Sequence, residues 1–135
     1  MTKKPMASKH FEPVDWHYDH LGGGRSYSHG LGFITCRIQM GNYSFTVNHR
    51  LYMREKTVRR LNRSRPKEKR LKFRSKYSLA RLMLVDILPL IPKGRKVYVL
   101  FDSWYSSKRL IKFCLSHRWH VICALKHNRL LNKRG

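Results

Sequence analysis

Acidic residues are scarce in this chain. Seven Asp and Glu stand against thirty Lys and Arg, a formal net charge of +23. Such an excess repels itself in a compact fold and calls for a polyanion nearby. Nucleic acid is the leading partner, because phosphate contacts by Lys and Arg release counterions and drive binding. An anionic membrane is the rival, and the sequence gives it little. No run reaches the ~18 apolar residues of a spanning helix; the longest, Leu82 to Ile91, is interrupted by Asp86 and Pro89. The opening Met-Thr-Lys-Lys-Pro-Met has no apolar stretch behind its charges, so it is not expected to act as a secretory signal. Cysteine is also sparse. Cys36, Cys114 and Cys123 are odd in number and lack CxxC spacing. They read as small core residues in a reducing compartment rather than a disulfide framework. No phosphate-cradling glycine loop, dinucleotide fingerprint or nucleophile-and-base pair occurs.

What is present suffices for one modest domain, with 135 residues, 41% hydrophobic and 12% aromatic. Residues 1–30 are polar and turn-rich, with Gly22-Gly23-Gly24 marking a loop. Residues 31–53 read as a hairpin: a strand from Leu31 to Met40, a Gly41-Asn42 turn, and a second strand from Tyr43 to Asn48 that Arg50-Leu51-Tyr52-Met53 can extend. Residues 54–76 hold twelve Lys and Arg and two Glu. Arg65-Pro66 breaks any single helix there. The block reads either as a mobile basic linker or as an arm that follows phosphates, with Arg59, Arg60, Arg63, Arg65, Lys69 and Arg70 as its contacts.

Residues 77–135 change character. Ser78 can cap a helix beginning near Leu79, whose Leu79, Leu82, Met83, Ile87 and Leu90 recur at helical spacing. Val97 to Phe101 is a near-continuous apolar run closed by Asp102, suited to a strand buried on both faces of a mostly parallel sheet. Ser106 or Ser107 caps a further helix carrying Leu110, Ile111, Cys114 and Leu115. His120 to Leu125 is a second strand run, ending at Lys126. The order is hairpin, helix, strand, helix, strand, an α/β pattern whose last three elements form a right-handed βαβ unit.

Asp102 is the leading candidate for chemistry. It lies at the carboxyl end of a strand, before a loop and a helix, where open α/β sheets bind ligands. A carboxylate there suits Mg²⁺, which takes one or two carboxylates plus water and phosphate oxygens, and paired ions can assist phosphodiester chemistry. From position alone, Asp102 equally suits a helix cap. Trp104 and Tyr105 can stack on an unpaired base or pack the loop onto the core. Lys126 and Arg129, at the end of the neighbouring strand, can hold phosphate oxygens or be plain solvated charges. His17, His20 and His29 beside Asp15 and Asp19 include a His-x-x-His pair, but no cysteine is near, so zinc is a weaker reading.

Asp102-Ser103-Trp104-Tyr105-Ser106-Ser107-Lys108, followed by Ala124-Leu125-Lys126-His127-Asn128-Arg129, resembles bacterial insertion-sequence transposases of the Asp-Asp-Glu (DDE) class. In that family a strand ends in Asp-Ser-Trp-Tyr with the second catalytic Asp, and a later strand ends in Lys-x-Asn-Arg. Trp16-His17-Tyr18-Asp19-His20, Ser28-His29-Gly30 and Arg50-Leu51-Tyr52 resemble, more weakly, the stretch after the family's first Asp. The likeness covers nearly the whole chain. It implies an RNase H-like fold, Asp102 as metal ligand and catalytic residue, Mg²⁺ or Mn²⁺ in the parent enzyme, and Asn128 beside Lys126 and Arg129 as nucleic-acid contacts. It also implies DNA as partner and a bacterial cytoplasmic, nucleoid-associated protein with no membrane association.

The departures are equally specific. The family's first Asp lies upstream of a segment like residues 3–20, and its Glu follows the Lys-x-Asn-Arg strand, whereas no acidic residue follows Asp102 here. The resemblance therefore implies a partial, truncated domain without strand one and the Glu helix, catalytically incomplete unless a second chain supplies the rest, and poorly soluble or partly unfolded without nucleic acid. A non-catalytic basic nucleic-acid-binding protein is the alternative.

Overall fold

The structure, a computed structural model, describes residues 2–3, 12–19 and 26–125. The protein is mixed α/β, with small sheets and a few helices, divided into two units at residues 1–79 and 80–135.

The first unit is built on one long strand. Strand β3, Ser26–Met40, pairs antiparallel with β1, Thr2–Lys3, with β2, Asp15–Asp19, and with β4, Tyr43–Tyr52. The expected hairpin is present. Its two-residue loop has positive φ at Gly41 (56°) and at no other loop position, the pattern of a type II′ turn, which favours glycine first. The register shifts between Cys36 and Arg37, leaving Val47 of β4 as the extra residue of a bulge. The second strand runs on past Asn48 to Tyr52.

Two stretches differ from the sequence expectation. Within the polar N-terminal region, Asp15–Asp19 and Ser26–Gly30 form a ladder rather than turns; Gly22-Gly23-Gly24 lies outside the described residues. Within the basic block, α1 spans Glu55–Asn62, where a mobile linker or a phosphate-following arm was expected. Its charges occupy a solvent face while Thr57 and Val58 are buried, and i,i+4 pairing of Glu55 with Arg59 at 2.6 Å supports the helix. The break at Arg65-Pro66 is present: α1 ends at Asn62, and Pro66 opens a short 3-10 turn at Lys67–Lys69. Asn62 then closes the connection, donating to the Leu71 carbonyl at 2.9 Å and accepting from its N–H at 2.8 Å.

Helix α2, Lys76–Ile87, begins earlier than predicted. Ser75, not Ser78, starts it: the Ser75 hydroxyl accepts from the Ser78 N–H at 3.3 Å. Pro89 sits in the 3-10 turn that ends it, at Leu88–Leu90.

In the second unit, Met83, Leu84, Ile87, Leu110, Cys114 and Trp119 are buried. Strand β5, Tyr98–Phe101, pairs parallel with β6, His120–Cys123, through helix α3, Lys108–Ser116. The βαβ unit is thus as expected, but the strands are not buried on both faces. Tyr98 and Leu100 are 52% and 68% exposed, and Ile122 is 55% exposed. A two-stranded ladder with one crossover helix has cover for one face only. Helix α3 ends in a Schellman motif: Trp119 N–H donates to the Cys114 carbonyl at 3.0 Å and Arg118 N–H to that of Leu115 at 3.0 Å. Arg118 occupies the left-handed position, φ 59°, that such motifs usually give to glycine. The three cysteines are free thiols, Cys114 fully buried and the others half-buried.

Candidate nucleic-acid interface and the Asp102 loop

Asp102 is exposed and directly follows β5. Its backbone carbonyl accepts from Tyr105 N–H at 2.9 Å, closing a tight turn, and its Oδ1 accepts from Ser103 N–H. It does not cap α3. Ser107 does so, its hydroxyl accepting from Leu110 N–H at 3.2 Å. Ser106 anchors the turn from inside: it is fully buried, and its hydroxyl donates to the Ser103 carbonyl at 2.8 Å. The Asp102 carboxylate thus sits at the strand's carboxyl end, in the turn and not in the cap of α3. Tyr105 is half-buried, and burial, with the Asp102 charge adding to it, pushes its phenol pKa up. Trp104 is 45% exposed. The structure thus brings Asp102, Trp104 and Tyr105 onto one loop. Lys126, Asn128 and Arg129, expected beside them, lie outside the described residues.

A metal needs more than this loop displays. Among the described residues no three His, Cys, Asp or Glu side chains group to hold an ion. Asp102 supplies one carboxylate, with one oxygen already accepting a backbone hydrogen bond. These donors do not by themselves fit a two-ion site. The weaker zinc reading also fails among these residues. His17 lies opposite Ser28 and His29 opposite Trp16 on adjacent β2–β3 rungs, so the two imidazoles leave opposite faces of the ladder; His20 lies outside the described residues.

Of the six basic residues singled out in 54–76, two are paired with acids. Arg59 is paired with Glu55 at 2.6 Å and Arg65 with Glu12 at 2.5 Å. Arg60, Arg63, Lys69 and Arg70 are exposed on α1 and the turn that follows it. The first unit thus presents these cations on a folded surface.

Sequence reasoning did not anticipate the polar lock beneath that surface. Asp15 is buried at the start of β2 and accepts hydrogen bonds from the Thr57 hydroxyl and, at 2.7 Å, from Trp16 N–H. Burial by itself would raise its pKa; the Thr57 and Trp16 hydrogen bonds, with the Arg54 and Lys56 charges, outweigh it and hold the carboxyl below its usual range. Arg54 also donates to the Trp16 carbonyl at 2.7 Å. Next along the same face is His17, whose pKa is lowered, first by burial and then by Arg54 and Lys76 against the opposing pull of Asp15. Its ring is accommodated by Gly32, where an added Cβ would stand 3.3 Å from the imidazole. Lys76 lies 5.2 Å from the Tyr52 ring centre.

The opposite face of the same strands carries aromatic rings. Trp16 and His29 are 5.1 Å apart, Tyr18 and Tyr27 5.6 Å, and Phe33 and His49 6.1 Å. The sequence signal was the period-two spacing of Trp16 with Tyr18 and of Tyr27 with His29, hidden by the polar residues between them.

Comparison with protein-family models, with curated proteins and with solved structures gives no match to this chain. Among the described residues no helix is long and apolar enough to cross a membrane.

Proposed function

We propose that this chain is a DNA-binding part of an insertion-sequence transposase catalytic domain of the DDE class, with a partial RNase H-like arrangement. The parent activity is metal-dependent DNA strand cleavage and transfer during transposition. The carrying observation is Asp102, exposed at the carboxyl end of a strand in a parallel pair and held there by a turn in which Ser107 does the capping. The Asp-Ser-Trp-Tyr sequence at that strand end and the net charge of +23 support the same reading.

In this reading Asp102 is one of several carboxylates around Mg²⁺ or Mn²⁺ in the parent enzyme. This chain alone does not hold the ions tightly, and a second chain or further segment supplies the remaining ligands. Trp104, Tyr105, Lys126, Asn128 and Arg129 flank the DNA at that edge, and the exposed cations of 54–76 bind its phosphates. The setting is the bacterial cytoplasm, at the nucleoid.

Mn²⁺ titration followed by electron paramagnetic resonance, with and without duplex DNA, tests this. Weak binding that DNA strengthens and Asp102→Asn abolishes is the expected result. Identical Mn²⁺ uptake by the Asn variant contradicts the assignment. It would leave the second reading, a non-catalytic basic nucleic-acid-binding protein, which draws support from the lack of any described acidic cluster around Asp102.

A further inference from the structure

The two faces of the β2–β3 ladder have opposite fates. Asp15 and His17 point to one face, where the Thr57 hydroxyl of α1 meets Asp15. Trp16, Tyr18, Tyr27 and His29 point to the other, with Phe33 continuing the row along β3. That second face is open: Trp16 is 47%, Tyr18 42%, Tyr27 59% and Phe33 49% exposed. Exposed rings scattered singly need no explanation, but several on one face mark a binding surface.

We propose that this face is a stacking platform for the unpaired bases of a single-stranded nucleic acid. Three features select that occupant. The surface belongs to a chain of net charge +23, so the partner carries negative charge. The rings stand in a row along strands: same-face neighbours are roughly 6.4–6.8 Å apart by strand geometry, a repeat that an extended, unstacked strand can follow base by base. Every base has a π-face, so stacking on an aromatic row suits a ligand of any sequence. An antiparallel sheet whose aromatic side chains stack successive bases is a recurrent solution for single strands. The inference rests on the nucleic-acid reading above and adds the ligand's form: a single strand or a locally opened duplex, bound at a surface distinct from the Asp102 loop.

The test compares a short oligothymidylate with an abasic phosphodiester of equal length, by fluorescence anisotropy on the intact chain. Wild-type protein should bind the base-bearing strand about fivefold to a hundredfold more tightly, the range expected for base–aromatic stacking. Trp16→Leu with Tyr27→Leu should erase that preference, while Trp16→Phe with Tyr27→Phe should keep it; circular dichroism checks that each variant is folded. Equal binding of the two ligands by wild type overturns the proposal, as does a preference that survives in the leucine variant. In both cases salt-sensitive binding of the abasic strand leaves the charge-based reading standing. Failure to bind either ligand at low salt removes both readings. Wild-type self-association lost only in the leucine variant, with oligonucleotide binding unchanged, assigns the face to a second copy of the chain and also overturns the proposal.

Discussion

Asp15 and Thr57, 42 positions apart in the chain, meet through a buried hydrogen bond between hydroxyl and carboxylate. The contact fastens the β2 strand to the basic helix α1 and decides which face of the ladder is closed. Asp15→Ala leaves the Thr57 hydroxyl and Trp16 N–H without their acceptor. The expected cost is about 1.5–3 kcal/mol, as for a buried hydrogen bond to a charged group, read as a lowered urea midpoint. A change within about 0.5 kcal/mol would show that the bond does not hold α1 in place.

Stability of the first unit should depend on pH in two windows. The folded pKa of His17 is depressed. As pH falls through about 6.5 the unfolded chain takes up a proton that the folded chain refuses, so stability is lost on acidification. Asp15 also has a depressed pKa. Its contribution is present above the unfolded value of about 3.9 and is lost as pH falls through the lower folded value. Urea midpoints at pH 7.5 and 5.5 should therefore differ, with the lower at 5.5, and His17→Gln should reduce the difference. An undiminished difference in that variant would place the titrating group elsewhere.

Arg118 occupies a left-handed backbone position at the end of α3. Arg118→Gly should raise stability by about 1 kcal/mol by relieving the Cβ conflict, measured as a higher thermal midpoint. A lower midpoint would mean that the arginine side chain contributes more than its backbone costs.

Salt dependence should separate the two groups of basic residues. Among the described residues Arg60, Arg63, Lys69 and Arg70 are exposed without an acidic pair, whereas Arg59, also exposed, and half-buried Arg65 are paired with Glu55 and Glu12. Replacing these four cations by Gln should flatten the slope of log affinity for duplex DNA against log salt by about 0.9 for each phosphate that is no longer neutralised. Replacing Arg59 alone should change the slope less than replacing Arg60 alone. An unaltered slope in the fourfold variant would move the phosphate contacts off these four residues.

The legible parts of the fold were those written in local periodicity. The hairpin turn at Gly41, the Ser107 cap and the parallel β5–β6 pair each rest on short-range patterns that tertiary contacts did not override. Strand β2 was hidden because its aromatic residues Trp16 and Tyr18 face solvent while Asp15 and His17 take the covered face, the reverse of the usual alternation. Helix α1 was hidden by its charge, since Val58 and Thr57 are its only buried residues. The apolar runs of β5 and β6 suggested full burial, yet burial depends on how many layers cover a sheet, which the strand's own composition does not specify. Asp102 was visible as a strand-end carboxylate, but its separation from the capping role required the Ser107 hydrogen bond to be seen.

We propose that Asp102 belongs to a phosphoryl-transfer site that this chain does not complete. Among the described residues no group of His, Cys, Asp or Glu is able to hold a metal ion, and a two-ion site must fix both cations within roughly 3.5–4 Å of each other. The most direct measurement is nicking of supercoiled DNA by the purified chain in Mg²⁺ or Mn²⁺, beside Asp102→Asn. DNA binding without nicking is the predicted result for both proteins. Metal-dependent nicking that disappears in the Asn variant would show that the chain carries a complete catalytic site and would contradict the claim.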